Sequence, residues 1–170
     1  MREEFGTIYG QYAHDVARPE FRPIDRALGA LFYRMDPCPS AELALAGAVI
    51  SRSRGRGDVC LHFSKKKFQT QLTSEFSHPI ALPDREKWLT ELQKSPLVGK
   101  PGDFLPLILD EGHRLYLHRM HNYEAGLAKT LRARAEAKSE KIKENEFSKA
   151  LPEFFPDSKP SKDGIHRQYV

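Results

Sequence analysis

The residues that could do chemistry begin with a basic loop, Arg52 to Asp58, in which three arginines alternate with serine and glycine. Arginine and glycine together can bring both charge and backbone N–H groups to an anion, which would make this a phosphate-binding loop. No Gly-Lys-Ser or Gly-Lys-Thr follows as in a P-loop, and the turn enters a strand rather than the helix of a dinucleotide site. We favour the alternative, a helix C-terminus followed by a tight turn.

A second basic cluster follows the loop. Lys65, Lys66 and Lys67 could face DNA beside Arg54 and Arg56, and these five residues are the candidate nucleic-acid contacts. Three lysines that open a short helix more often form a solvated face, which is the interpretation we favour.

Three histidines, His113, His118 and His121, suggest a metal site. His118 and His121 could share one face of a helix, but spacing supplies no cysteine or carboxylate as a third ligand. We therefore interpret them as surface or interface histidines. Local spacing also identifies no nucleophile–base pair and no acid–base carboxylate pair. The sequence thus predicts no catalytic residue, no cofactor-binding residue and no metal ligand in this chain.

Composition restricts the classes of protein further. The 170 residues favour one domain with appendages, and 39% hydrophobic residues can form a core. No apolar run approaches the roughly 18 residues of a membrane span, and the N-terminus lacks the apolar segment of a secretory signal. With two isolated cysteines, we expect a cytoplasmic protein that has no membrane partner. The net charge of +4 permits contact with nucleic acid but does not require it.

The element that positions the basic loop is a helix that precedes it. Between Ala41 and Ile50 only Glu42 is charged, so this helix is predicted to be buried on all sides. Ser40 is expected to cap it, and Gly55 to take the left-handed position after its end. A half-buried strand is then predicted from the alternation of Val59, Leu61 and Phe63 with Cys60 and His62.

Residues 1–22 are polar with scattered aromatics, and we interpret them as a poorly ordered or loosely docked arm. Pro23 begins a helix that Asp36-Pro37 ends. The apolar face predicted for this helix consists of Ile24, Ala27, Leu28, Leu31, Phe32 and Met35.

The second half of the chain predicts a short helix over Ser64–Leu72, a helix over Asp84–Lys94 and a hairpin. Strands over Phe104–Leu109 and Arg114–Leu117 form the hairpin, and Pro106 suggests that the first one begins late or lies at an edge. In the Asp84–Lys94 helix the inward residues are Trp88, Leu89 and Leu92. The core face of the hairpin is Leu107, Leu109, Leu115 and Leu117. Trp88 and Phe104 are first assigned to the core, and either one, if exposed, would be an anchor for a partner.

A long helix from about His118 to about Ser148 ends the folded part, with an apolar stripe at Met120, Tyr123, Leu127 and Leu131. The predicted fold class is mainly α with a small antiparallel β-sheet. It consists of a winged-helix-like unit flanked by an N-terminal helix and a long C-terminal helix. The predicted domains are the arm (1–22), the helical, winged-helix-like domain (23–150) and a linker (151–170) toward a motor domain absent from this chain.

Four segments together resemble one family: residues 24–36, 44–63 and 82–128, and the late pair Phe155-Pro156. The motif positions that carry the resemblance are Leu45, Ala46, Ser51, Arg52, Gly57, Val59, Cys60, Leu61, Ser95, Pro96, Leu97, Val98, Gly99, Arg114, Leu115, Tyr116, Leu117, Arg119, Tyr123 and Glu124. The chain resembles the N-terminal domain of the exodeoxyribonuclease V alpha subunit, the RecD helicase family, over about residues 24–156.

The resemblance implies a parent protein that is an ATP-dependent helicase moving 5′ to 3′ on single-stranded DNA. That parent acts within the RecBCD helicase–nuclease in double-strand break repair and recombination. The implied partners are RecC-like (gamma) and RecB-like (beta) subunits, and DNA through the full-length protein. This domain would dock the motor onto the gamma subunit. ATP and Mg²⁺ are expected in the missing motor domain, with no cofactor in this chain. No catalytic residue transfers, so whether the chain is part of an enzyme stays open here.

The alternative function is a free-standing winged-helix DNA-binding or regulatory protein. Such a protein would read DNA with the helix over Asp84–Lys94. The exposed positions of that helix mix acidic and basic residues, which is unfavourable in a major-groove reader. An assembly module is therefore the hypothesis we favour.

Overall fold

The structure is a computed structural model of the chain, and it describes residues 2–63 and 80–137. The chain divides into two compact units, Met1–Ala128 and Lys129–Val170, and the core and sheet belong to the first unit. This unit is mainly helical with a small four-stranded sheet, which confirms the predicted α+β class. The predicted domain boundaries at residues 22 and 150 remain predictions. The short helix over Ser64–Leu72 and the linker lie outside the described residues.

Residues 2–16 are helical: α1 is Arg2–Tyr9, a 3₁₀ turn covers Gly10–Tyr12, and α2 is Ala13–Val16. The prediction of a poorly ordered or loosely docked arm is therefore wrong for this stretch. Several of its aromatic and aliphatic residues enter the core, and Gly10 has a positive φ of +51° at the start of the 3₁₀ turn. The buried apolar residues before α3 are Ile8, Tyr9, Tyr12, Val16 and Phe21.

Helices α3 (Pro23–Met35) and α4 (Ala41–Gly55) form the centre of the unit. Ser40 caps α4 as predicted, with its Oγ accepting from the Leu43 N–H at 3.1 Å. The prediction that α4 is buried on all sides is confirmed, since Leu43 through Ser53 are all buried. The two helices approach closely at two glycines. A Cβ on Gly47 would lie 2.9 Å from the Gly29 Cα, so neither position has room for a side chain.

The apolar face predicted for α3 does not enter the core as a whole. Phe32 is buried, but Ile24, Leu31 and Met35 are 62%, 44% and 49% exposed. The face of α3 that packs against the domain carries Asp25, Gly29 and Phe32 instead. We call Ile24, Leu31 and Met35 the α3 stripe.

The end of α4 also differs from the prediction. The helix continues through Gly55, and the glycine with a left-handed conformation is Gly57, with φ +101°. Backbone N–H groups of Arg56 and Asp58 both bond to the Ser53 carbonyl, which closes the turn two residues later than expected.

The sheet has the strand order β1-β4-β3-β2, with β1 Leu61–His62, β2 Val98–Gly99, β3 Leu107–Leu109 and β4 Arg114–Leu117. The predicted pairing of the first strand with the hairpin is confirmed, because β1 and β4 pair antiparallel with Leu61 opposite Leu115. The late start predicted from Pro106 is confirmed as well, since β3 begins at Leu107. The core-facing residues of the sheet include Leu61, Leu107, Leu109 and Leu115.

Two details of the sheet were not predicted. β2 lies in a stretch expected to be only a turn-rich connector. It runs parallel to β3, so the sheet is mixed and the prediction of a purely antiparallel sheet is wrong. β1 is shorter than expected, and Val59, predicted to face the core, is 44% exposed. The winged-helix arrangement stays a prediction, because one of its helices falls outside the described residues.

Helix α5 (Arg85–Lys94) is capped by Asp84, whose Oδ1 accepts from the Glu86 and Lys87 N–H groups. Its inward face is the predicted one, since Trp88, Leu89 and Leu92 are buried. Helix α6 (His118–Glu136) is the described part of the long C-terminal helix and buries none of its residues. The described ranges contain no helix both long and apolar enough to cross a lipid bilayer.

Candidate functional site

The most highly bonded polar group in the described core is the carboxylate of Asp25. Its oxygens accept from the Arg22 backbone N–H (2.8 Å), Arg22 Nε (3.1 Å) and Nη2 (2.8 Å), and Ser51 Oγ (2.7 Å). Burial opposes the charge, but these bonds outweigh it and hold the pKa of the Asp25 carboxyl below its ordinary value. The arrangement locks the start of α3 to α4. Because these bonds favour the ionised carboxylate, Asp25 is not suited to act as a proton donor.

The neighbouring motif position Arg52 is also structural in this arrangement. Arg52 is buried, its Nε donates to the Glu20 carbonyl at 3.1 Å, and its guanidinium lies 5.9 Å from the centre of the Phe21 ring. It ties α4 to the chain just before α3.

The basic loop therefore does not form a phosphate cradle. The N–H groups of Arg56, Gly57 and Asp58 all bond to carbonyls at the end of α4, so they are not directed at an anion. Among the candidate nucleic-acid contacts, Arg54 and Arg56 are exposed. Arg54 Nε lies 3.1 Å from Met120 Sδ. Lys65, Lys66 and Lys67 lie outside the described residues.

The motif residues Ser95, Pro96 and Leu97 form the turn after α5. The Ser95 hydroxyl donates to the buried Asp36 carboxylate at the end of α3, and Ser95 Oγ also accepts from the Leu97 N–H at 3.2 Å. This turn therefore joins the ends of α3 and α5, and Pro96 is exposed.

The motif residues of the sheet divide between its two faces. Leu61 and Leu115 lie in the main core. Cys60 and Tyr116 form a small cluster with Ile108 on the other face, and Leu117 is half-buried.

The polar groups around Tyr116 are arranged as a bonded cluster. Tyr116 Oη lies 3.3 Å from Glu124 Oε1, and the Arg114 guanidinium lies 5.7 Å from the Tyr116 ring and is ion-paired with Asp110 at 2.6 Å. Burial is the main cause that raises the pKa of both the Cys60 thiol and the Tyr116 hydroxyl. A buried thiol with a raised pKa is a poor nucleophile, so the cluster lacks the low-pKa thiol that is typical of a catalytic cysteine site.

The three histidines do not converge. His113 lies in the hairpin turn with φ +53°, His118 contacts the Phe104 ring edge-on, and His121 contacts the Tyr116 ring. In residues 2–63 and 80–137, no group of three His, Cys, Asp or Glu side chains is placed to hold a metal ion.

An open groove of 1020 Å³ lies between the end of β2 and the hairpin turn. Lys100, Asp110, Glu111, His113 and Arg114 supply its charged and titratable groups. The ion pair of Asp110 with Arg114 already uses the two groups that are partly buried. The groove thus offers no pre-formed acid–base pair.

Exposed apolar side chains are the remaining candidates for function. Trp88 belongs to the core, with its Nε1 donating to the Glu42 carbonyl at 2.8 Å. Phe104, in contrast, is 91% exposed, so of the two large aromatics it is the one that meets the condition for an anchor. On α6, Arg119 and Tyr123 are exposed beside each other, with the guanidinium 5.5 Å from the ring.

The α3 stripe was not predicted to be an exposed surface. The spacing of Ile24, Leu31 and Met35 predicts an apolar helix face, but spacing alone does not determine whether the same chain covers that face. The stripe and Phe104 are large apolar groups in solvent. Among the roles considered, the described surface therefore best supports contact with another protein.

One protein-family model, described as "RecBCD enzyme subunit RecD, N-terminal domain", matches residues 17–116, which is more than half of the chain. The matched range includes α3, α4, α5 and the sheet as far as Tyr116. The motif positions Leu117, Arg119, Tyr123 and Glu124 lie just beyond it. No curated protein gives a significant match.

Proposed function

Because the chain belongs to the family of RecD N-terminal domains, we propose that it is the non-catalytic assembly domain of a RecD-like helicase subunit. In this proposal the domain binds a gamma-type (RecC-like) subunit and so joins the RecD-like motor to a RecBCD-type enzyme. A beta-type (RecB-like) subunit would be the further member of that assembly. The observation that carries the proposal is the family match across more than half of the chain.

The chemistry of the described residues supports an assembly role. The buried charged groups of the described residues, Asp15, Asp25, Asp36 and Arg52, are all bonded to the protein itself. Large apolar side chains at the α3 stripe and at Phe104 face solvent instead. Exposed apolar residues of this size mark protein contacts more often than chemistry.

The chemical work of the parent enzyme is assigned elsewhere in this proposal. ATP and Mg²⁺ would be bound by the motor domain of the RecD-like subunit, and translocation 5′ to 3′ on DNA during break repair would follow from that motor. The present domain would act through attachment alone.

A DNA-reading role is less well supported. Helix α5 would be the reading helix of a winged-helix protein, yet its exposed side mixes Glu86 with Lys87 and Lys94. Of the arginines considered for DNA contact, Arg54 is exposed and lies against Met120. Any DNA binding is therefore expected to be weak and independent of sequence.

The test is a binding measurement with purified proteins. The full chain, immobilised through a terminal tag, is expected to retain the gamma-type subunit with a Kd in or below the micromolar range, and to hydrolyse no ATP. The beta-type subunit alone is the control. In parallel, gel-shift titrations at two salt concentrations should show only weak binding to duplex DNA. If the gamma-type subunit is not retained, or if tight sequence-specific DNA binding appears, the assembly role is wrong.

A further inference from the structure

The α3 stripe is a row of large apolar side chains that the domain leaves in solvent. Ile24, Leu31 and Met35 are separated by seven and four residues, so they align along two turns and then one further turn of the same helix side. Ala27, also exposed, lies between them. An amphipathic helix that docks into a groove presents its anchors with this spacing.

The helix that carries the stripe is held firmly from the opposite side. Gly29 packs against α4 and against Tyr9, whose hydroxyl donates to the Arg26 carbonyl. The bonds of Asp25 fix the first turn of α3 to Ser51. The stripe is thus pre-organised, and a partner would order little of the backbone when it binds.

The charges beside the stripe favour a partner that carries acidic groups. The one acidic side chain within α3, Asp25, is buried, whereas Arg34 is more than half exposed. Glu4 approaches Arg34 only to 3.7 Å, and both side chains are largely in solvent, which makes a weak ion pair. A carboxylate on a partner could therefore replace Glu4 and pair with Arg34 in a less solvated setting.

The size of the stripe argues against a second copy of the chain as its occupant. Three side chains at this exposure present an area on the order of a few hundred Å², well below the roughly 800 Å² per partner of a standard interface. A larger partner that adds contacts elsewhere on the domain would supply the missing area.

We infer that the α3 stripe enters an apolar groove of the partner subunit, with an acidic residue of that subunit placed beside Arg34. The inference rests on the proposed function and adds to it the location and chemistry of the contact.

The experiment compares two aspartate substitutions at positions of equal exposure. Leu31 in the stripe and Val59 in the loop before β1 are both 44% exposed. Leu31→Asp is expected to weaken binding to the gamma-type subunit at least tenfold, because it would desolvate a charge inside the interface. Val59→Asp should leave the affinity within about twofold. Arg34→Glu should also weaken binding and should reduce its dependence on salt. Circular dichroism and thermal melts confirm that each variant is folded, and Ile24→Asp replaces Leu31→Asp if that variant is not.

The outcomes separate the inference from the proposed function. Equal loss in the Leu31 and Val59 variants, or no loss in either, would overturn the inference while the assembly role stands. A chain that fails to bind the subunit before any substitution overturns both. Sedimentation of the chain alone is expected to show a monomer. A dimer that Leu31→Asp dissociates would identify a second copy as the occupant and also overturn the inference.

Discussion

On helix α3, a charged side chain is buried on the side that packs into the domain, and large apolar side chains lie on the side that faces solvent. This is the reverse of the usual amphipathic pattern. The fully buried residues of α3 are a carboxylate, a glycine and one large apolar residue, Phe32, with Leu28 and Tyr33 half-buried beside them. The side in solvent carries the α3 stripe. The packed side can accept Asp25 because Arg22 and Ser51 satisfy its oxygens. The solvent side gains nothing in the isolated domain from its apolar groups. Helix α3 is therefore held on one side by close packing and hydrogen bonds, while the apolar surface on its other side remains available to a partner.

Neighbouring residues on the two sides provide the largest expected contrast. Phe32 is 4% exposed and packs against Gly47, whereas Leu31 is 44% exposed. Phe32→Ala is expected to lower the free energy of unfolding by about 4 kcal/mol, because it leaves a cavity in the core. Leu31→Ala should change that free energy by less than about 0.5 kcal/mol. Urea unfolding of the two variants measures both values, and similar losses would mean that the stripe is also part of the core.

The close approach of α3 to α4 gives the second prediction. A Cβ on Gly29 would lie 2.3 Å from the Ala44 carbonyl oxygen. That oxygen belongs to the backbone of α4, so relieving the clash would require the two helices to move apart. Gly29→Ala should therefore destabilise the domain by about 3 kcal/mol. The control is Gly126→Ala in α6, where no atom other than the local helix backbone and the chain neighbours lies within 4 Å of the added carbon. That substitution should instead stabilise its helix, by between about 0.5 and 1 kcal/mol. Thermal melts that shift in the same direction for both variants would contradict the packing described here.

The carboxylate on the packed side predicts a dependence of stability on pH. The pKa of Asp25 is lowered in the folded protein, whereas an unfolded aspartate titrates near about 3.9. The stabilisation is therefore fully present above about pH 4 and is lost as the pH falls below it toward the folded pKa. Asp25→Asn should lower the free energy of unfolding by about 2 kcal/mol at pH 7. This is less than the loss expected from breaking a fully buried ion pair, because Arg22 is half exposed.

The measurement is urea unfolding of both proteins between pH 7 and about pH 3. The difference between wild type and Asp25→Asn should narrow below about pH 4, and Glu111→Gln, at an exposed turn position, is the control. A constant difference over the whole range would show that the charge of Asp25 is not what stabilises the fold.

The contrast between the sides of α3 also explains which parts of the fold were predictable. The burial of α4 followed from a run of apolar residues after a capping serine, and the start of β3 from Pro106, because these are local signals. The packed side of α3 depends on partners distant in sequence, since Asp25 needs Ser51 and Gly29 makes room for Tyr9. No pattern within one segment encodes such pairs. β2 was missed for a different reason, because a two-residue strand has no periodicity.

The motif positions of the candidate site also depend on distant partners. Ser51 and Ser95 were found from the resemblance alone, and Arg52 was otherwise only the first residue of the basic loop. Their structural bonds lie to residues in other elements. From the sequence, Phe104 was first assigned to the core, and its role as an anchor was predicted only for the case that it is exposed. The α3 stripe was visible as an apolar face but not as a surface, because periodicity gives the side of a helix and not what covers it.

The smallest expected effect comes from two serines on α4 that face the packed region. Ser51 Oγ donates to Asp25, whereas Ser53 Oγ is buried and, within the described part of the chain, has no hydrogen-bond partner. Ser51→Ala should destabilise the domain by about 1.5 kcal/mol, since it removes a hydrogen bond to a buried charge.

Ser53→Ala should stabilise the domain by up to about 1 kcal/mol, because it removes an unsatisfied hydroxyl and alanine is the better helix former. The two substitutions delete the same atom from the same helix two residues apart, so propensity cancels in their difference. Opposite signs in urea unfolding would show that the α3–α4 contact depends on specific bonding to Asp25. Equal signs would mean that the contact tolerates any small residue, and that the polar character of the packed side of α3 contributes little to its attachment.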